Sequence, residues 1–337
     1  MSGAPGGGGG RPRVRGISYL TDDMPPEAAE ADLRTIREEL HCTAVMVVGS
    51  DPERLEQVSR AALEGGLEAW VRPRCADRSP AELLAHLAEV AERAEGLRRA
   101  HPGRVVLLVG TEFSLTSPGL LPGGSEFARI QLIRRPWLRR RFDRRMNRRL
   151  GALLAAALAT ARGSFGGPVT YGAGGWERVD WSGFDIAGVN LYRFGTDAAD
   201  YARRLDALLR TAGRPVVVTE FGCGAHVGGD LRGAGSFFAV NWFADPPRLR
   251  RGTVRDEHVQ ARYLGELLDL YRDRDVHGAF VFTFAMPGFP HSATAPRDLD
   301  AAGFGVVAVP EDDPSARRPK EAFREVAARY RDAARQG

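Results

Sequence analysis

The sequence predicts an α/β fold of the (β/α)8 TIM barrel type, and three observations predict it. Eight short runs rich in Val, Ile, Leu and Phe alternate with helical stretches, the pattern of a parallel sheet joined by right-handed crossovers. A chain of 337 residues is long for most single domains but ordinary for one barrel of this kind. No glycine fingerprint follows the first run and no Walker sequence occurs, so an open nucleotide-binding sheet is poorly supported.

Residues 1–13 form a Gly-rich tail expected to be disordered, and 14–334 are expected to form a single barrel domain. The first strand is read at 14–20, and a helix follows at 25–40 with Pro25 and Pro26 in its first turn. The second strand, 43–48, leads to a helix ending at Glu64, for which the stretch Ser50-Asp51-Pro52-Glu53 supplies a capping residue and a first-turn proline. Gly65 and Gly66 close that helix, and the third strand, 67–71, ends near Arg72. Ser79 and Pro80 start a long helix to about residue 100. The fourth strand, 105–109, runs out towards Glu112, and the breaker-rich segment 117–124 is loop.

From about 126 to 162 the chain reads as helical, with an Arg-dense excursion at about 126–149 interrupted by Pro136. Trp137, Leu138, Phe142 and Met146 recur there at near-helical spacing, an apolar stripe for the barrel or for a partner subunit in a homo-oligomer. The fifth strand is 168–172, with Trp176 and Glu177 in its top loop, and the sixth is 184–192. A helix at about 197–211 precedes the seventh strand, whose β-branched run ends at Glu220. A long top-face loop then spans about 222–254, a length uncommon unless the loop builds a site. A helix at 257–271, an eighth strand at 277–284 and a terminal helix at about 319–334 complete the pattern.

Composition bounds the function only loosely. The 47 basic and 43 acidic residues leave a formal charge of +4, which does not by itself call for nucleic acid or a membrane surface. Lys320 is the only lysine, so the basic residues reflect an arginine bias. Cys42, Cys75 and Cys223 are odd in number and widely spaced, which indicates neither a disulfide framework nor a zinc knuckle. The N-terminus carries no apolar stretch of a signal peptide, and the expected compartment is the cytoplasm.

Chemistry is expected where strands end. Glu112 and Glu220 each terminate an apolar run, which places two carboxylates at the C-terminal mouth of one barrel. Two facing carboxylates are the equipment for glycosidic bond hydrolysis, with a separation of about 5–5.5 Å in retaining enzymes. Tyr192, at the end of the sixth strand, is placed to donate its hydroxyl to Glu220, and a partly desolvated Glu112 would serve as the acid.

Val218, Thr219, Glu220, Phe221 and Gly222, together with Asn190 and Tyr192, resemble the clan of retaining glycoside hydrolases on the (β/α)8 barrel. The resemblance spans most of the chain and implies that Glu220 is the nucleophile and Glu112 the acid/base, with no metal or organic cofactor. Two departures stand out. The residue before the acid/base, usually Asn in the clan, is Thr111, and the strand-eight tryptophan platform is replaced by Phe282 and Phe284.

Further candidate substrate contacts are Arg72 at the mouth and Trp176, Trp242 and Phe289 as stacking faces, although loop aromatics also pin loops to a barrel. His226 and His291 fall in top-face loops and are read as partners of sugar hydroxyls or water, since neither has metal-ligand spacing. The Arg-rich segment offers a place for an anionic group on a small glycoside or glycoconjugate substrate. Hydrolysis or transglycosylation of a β-linked glycoside is the leading expectation. The alternatives are a sugar-binding or regulatory barrel without catalysis, and an unrelated barrel lyase or isomerase using the same two glutamates.

Overall fold

The β-branched runs pair in parallel, as burial on both faces demands. The computed structural model of the protein describes residues 14–335, so the Gly-rich tail at 1–13 lies outside the described residues. The barrel strands are β1 (Val14–Leu20), β2 (Ala44–Gly49), β3 (Glu68–Pro73), β4 (Val105–Thr111), β5 (Val169–Gly174), β6 (Ala187–Asn190) and β7 (Val216–Phe221). A small antiparallel hairpin, β8 (Val240–Asn241) with β9 (Arg248–Leu249), precedes the last barrel strand, β10 (Gly278–Val281). The order β1-β10-β7-β6-β5-β4-β3-β2 closes on itself, which makes the fold a (β/α)8 barrel.

Side chains fill the barrel interior. Met46, Val48, Trp70, Leu108, Val217 and Phe280 belong to one buried cluster, with Trp70 and Phe280 ring centroids 4.8 Å apart. Burying a side chain such as Phe280 contributes about 1.5–3 kcal/mol. The β1 strand can pass that ring only because residue 16 is glycine: a Cβ on Gly16 would lie 2.3 Å from the Phe280 ring.

The crossover helices are α1 (Ala29–Glu38), α2 (Pro52–Glu64) and α3 (Pro80–Ala100), and local chemistry explains their starts. Asp51 accepts from the backbone N–H groups of Glu53 and Arg54. Ser79 and Glu82 form a reciprocal capping box, and Pro52 and Pro80 occupy first-turn positions where no N–H is needed.

After β4 comes one turn of helix, α4 (Phe113–Thr116). The helical stretch expected at 126–162, with its interruption at Pro136, is three pieces, α5 (Glu126–Ile133), α6 (Pro136–Arg139) and α7 (Asp143–Ser164). Pro136 begins a new helix because its ring cannot continue the old one. The apolar stripe divides accordingly: Met146 is fully buried and Leu138 and Phe142 pack on the core, whereas Trp137 is 67% exposed.

Helix α8 (Ala198–Thr211) precedes β7. The long loop after β7 is not structureless, since it contains the short helix α9 (Gly229–Arg232), a 3-10 turn at Gly233–Ala239 and the β8–β9 hairpin. It meets the Arg-rich excursion twice, through Phe127 on Phe243 at 6.4 Å and through the Arg134 guanidinium over the Phe238 ring at 3.9 Å. Helix α10 (Glu257–Asp273) and the terminal helix α11 (Glu321–Arg335) pack on each other. Among the described residues no helix is long and apolar enough to cross a membrane.

Candidate active site

The site begins with a distorted strand end. Between Leu108 and Thr111 the β4–β5 register shifts, and Gly110 sits at φ 150°, where a Cβ would meet the Phe113 ring at 2.3 Å. Two residues on, Glu112 adopts the left-handed conformation, φ 42° and ψ 51°, at a cost of about 1–3 kcal/mol for a residue with a side chain. Its N–H donates to the Gly172 carbonyl at 2.8 Å, and its own carbonyl accepts from Leu115 and Thr116 at the start of α4. The chain thus turns sharply at Glu112 and leaves its carboxyl at the mouth of the barrel.

Glu220 leaves β7 opposite Asn190 of β6, next to a second register shift. One oxygen ion-pairs with Arg72 from the end of β3, and the other accepts the Tyr192 hydroxyl at 3.0 Å. The expected Tyr192 hydrogen bond is therefore present, and Arg72 adds a second donor. Both donate to the Glu220 carboxylate and fix its orientation in the mouth. Burial first, and the charges of Glu220 and Glu112 next, push the Tyr192 phenol well above its ordinary range, so it stays a donor.

Glu112 is placed differently. Burial pushes its carboxyl well above the ordinary range, and the charges of Glu220 and Glu177 push in the same direction. The opposing influences are the Asn190 amide, which donates to Glu112 Oε1 at 3.0 Å, and the more distant Arg72. Asn190 also donates to Thr111 Oγ1 at 3.1 Å and accepts from Thr219 Oγ1 at 2.8 Å, which fixes its amide orientation. Thr111 spends its own hydroxyl proton on the Gly172 carbonyl at 3.1 Å. The amide held against the Glu112 carboxyl thus comes from β6 rather than from the residue preceding Glu112.

One cavity of about 1090 Å³ contains this pair, and Glu112, Glu220, Thr111, Asn190, Tyr192 and Arg72 all line it. Trp176 and Phe289 line it as well, and Phe282 and Phe304 add aromatic surface, their rings 5.8 Å apart and Phe304 at 6.4 Å from Tyr192. Arg134, just past α5, and Arg139, Arg204 and Arg232, from α6, α8 and α9, reach the cavity. Helices α5 and α6 belong to the Arg-rich excursion, which covers part of the mouth.

Four sequence candidates stand elsewhere. Phe284 is fully buried against Tyr19, with ring centroids 6.3 Å apart, because the chain has already left the strand and re-entered the core. Trp242 packs edge-on against Phe289 at 5.3 Å, so it supports the wall from outside rather than lining it. His226 is buried with its ring nitrogens on the Val227 and Ser236 carbonyls, an anchor for the long loop. His291 bonds Asp298 at 2.8 Å, and Arg255 ion-pairs with Asp298 at 3.0 Å and with Asp300 at 2.9 Å. Lys320, buried, lies 3.3 Å from Asp300, so two cations already neutralise the carboxylates of that cluster.

Glu177 carries no sequence signal beyond its place just after β5, yet it joins the site. Its carboxylate accepts from the Ser114 N–H and hydroxyl, the Tyr171 hydroxyl and the Gly174 N–H. The glycines and the tryptophan before it, at 174–176, mark a tight, packed turn, which is the one trace of this role in the sequence.

No protein-family model and no curated protein matches the chain. Among solved structures, a GH113 β-1,4-mannanase superposes with a TM-score of 0.63 at 15% identity, over 94% of this chain and 98% of that one. The GH113 β-mannanase of Alicyclobacillus acidocaldarius gives a TM-score of 0.59 at 13% identity, over 96% and 98%. A β-glucuronidase from Ruminococcus gnavus gives 0.60 at 14% identity, over 94% of this chain but only 49% of its own. At these identities the likeness is one of fold.

Proposed function

We propose that the protein is a retaining glycoside hydrolase or transglycosylase acting on a small β-linked glycoside by double displacement. The observation that carries the reading is that Glu112 and Glu220 line one cavity in opposite electrostatic settings. Glu220, oriented by Arg72 and Tyr192, attacks the anomeric carbon while the bond to the leaving oxygen breaks. Glu112, kept protonated by burial, gives its proton to that oxygen. In the second half Glu112, now the anion, takes a proton from water or an acceptor hydroxyl, and the incoming oxygen displaces Glu220 from the sugar. The fold shared with a mannanase and a glucuronidase agrees with this reading.

The test is covalent capture. A panel of 2-deoxy-2-fluoro β-glycosyl fluorides, spanning gluco, manno and glucurono configurations, is incubated with the protein, followed by intact mass and peptide mapping. One sugar mass on the peptide carrying Glu220 is expected with a member that the wild type also turns over. Turnover of a β-glycoside with anomeric inversion would end the retaining mechanism.

A specific observation also favours an anionic substrate group: Arg134 and Arg232 line the cavity, and neither has a carboxylate within ion-pair distance among the described residues. For an aryl β-glycoside bearing a carboxylate, sulfate or phosphate, KM is expected to rise about 3–10-fold between 50 and 500 mM salt. The neutral parent glycoside is expected to show no such rise, and equal salt dependence would remove the anionic reading.

A further inference from the structure

We infer that Glu177 is a positioning residue that acts through Glu112, clamping the two residues that follow it and placing a fixed negative charge beside its carboxyl. The inference rests on the acid/base reading of Glu112. The geometry is specific. Glu112 stands in the left-handed conformation, which a residue with a side chain holds only when its surroundings impose it. The surroundings that do so are the next two N–H groups. Phe113 donates to the Tyr171 hydroxyl at 2.6 Å, and Ser114 donates to Glu177 Oε1 at 2.9 Å. Tyr171 donates its hydroxyl to Glu177 Oε2 at 2.9 Å, so both clamps end on one carboxylate.

The donor set identifies the charge state of that carboxylate. Its four partners are the Ser114 N–H, the Ser114 hydroxyl at 2.6 Å, the Tyr171 hydroxyl and the Gly174 N–H at 3.0 Å, and every one of them donates. The two N–H groups can only donate, and the two hydroxyls each accept from another N–H, Phe113 on Tyr171 and the Trp176 indole on Ser114, which leaves their own hydrogens for Glu177. The anion accepts from all four. Burial raises the carboxyl of Glu177 and these hydrogen bonds oppose it. Among the described residues no cation pairs with Glu177, so its charge is not cancelled locally and acts on Glu112. Trp176, which lines the cavity, donates its indole N–H to Ser114 Oγ at 2.8 Å, so the same clamp also fixes a wall of the pocket.

The titratable and charged groups facing Glu112 are Glu220 on β7, Glu177 after β5, Arg72 at the end of β3, Tyr192 after β6 and Tyr171 on β5. Glu220 is already partnered by Arg72 and Tyr192. Glu177 is therefore the neighbour that can be altered without touching the nucleophile or its partners. It does not line the cavity, so it reaches the reaction through the groups it holds, Glu112 first and the Trp176 wall second.

The experiment reads Glu112 directly. The full-length protein is labelled with 13C at glutamate carboxyls, and the Glu112 resonance is identified by its loss in Glu112→Gln. In Glu177→Gln, which keeps the shape and removes the charge, the Glu112 midpoint is expected to fall by about one pH unit. With aryl β-glycosides, kcat is expected to drop at least about tenfold more for a 4-nitrophenyl leaving group than for a 2,4-dinitrophenyl one, because the latter departs without a proton. KM should barely move. Glu177→Asp, which keeps the charge and shortens the reach, should hold the Glu112 midpoint near the wild-type value and still lose kcat. If Glu177→Gln does not fold, the aspartate variant carries the test through the same leaving-group comparison. An unchanged Glu112 midpoint in Glu177→Gln, or equal losses for both leaving groups in either variant, overturns the inference. Absence of glycoside turnover in the wild type would instead overturn the glycosidase reading, while the carboxyl titration would still decide the coupling.

Discussion

Glu220→Ala is expected to lose turnover of aryl β-glycosides by on the order of 10⁴- to 10⁶-fold, because it removes the carboxylate that forms the covalent bond to the anomeric carbon. Arg72 and Tyr192 donate and cannot attack, and Glu112 is committed to the leaving oxygen. Removing the side chain also opens space beside the anomeric carbon, so a small anion at high concentration should restore part of the rate. Azide entering through that space attacks from the face Glu220 occupied and yields the glycosyl azide of inverted, α configuration. Kinetics with and without azide, with product configuration by NMR, checks this. Full activity in Glu220→Ala would end the proposal. An azide product of retained β configuration would exchange the roles of the two glutamates.

Glu112→Ala is expected to reduce kcat/KM about 10²- to 10⁴-fold for poor leaving groups and far less for 2,4-dinitrophenyl glycosides. The pH profile carries the second half of this prediction. Burial, with the charges of Glu220 and Glu177, holds the Glu112 carboxyl well above its ordinary range. The wild type should therefore lose activity on the basic side as Glu112 deprotonates, at a pH above the ordinary carboxylate range, and that limb should vanish in Glu112→Ala. A basic limb that survives the substitution would assign it to another group.

Stability follows the same linkage with a definite sign. A carboxyl whose folded-state value is raised stabilises the fold below its unfolded value, and that contribution is lost as pH rises through the folded one. Glu112→Gln cannot ionise, so the variant should melt above the wild type in alkaline buffer although it is less active. Thermal denaturation of both proteins across pH measures this.

The barrel was legible because its signals are local. Val105 to Val109 and Val216 to Val218 are apolar runs that only a doubly covered strand accommodates, and Ser79 and the Ser50-Asp51-Pro52 stretch announce helix starts within a few residues. The strand-end side chains Glu112, Glu220, Asn190, Tyr192 and Arg72 were legible for the same reason, since the end of a strand in a barrel is a place in space. Residues beyond the strands were not. Phe282 lines the cavity and Phe284 is in the core, although both follow the same strand, because the backbone after Val281 no longer alternates with a period of two. His226 and His291 sit in loops whose partners, Ser236 and Asp298, are chosen by loop folding.

By itself the sequence determined that eight strands alternate with helices and that two acidic side chains emerge where strands end, because hydrophobic period and capping act over a few residues. Only the tertiary structure decided how those two carboxyls differ. Glu220 meets Arg72, 148 positions away in the chain, and Glu112 meets Asn190, 78 positions away. Solvent exclusion and Coulomb interactions depend on distance through space, and no pattern along the chain encodes that distance.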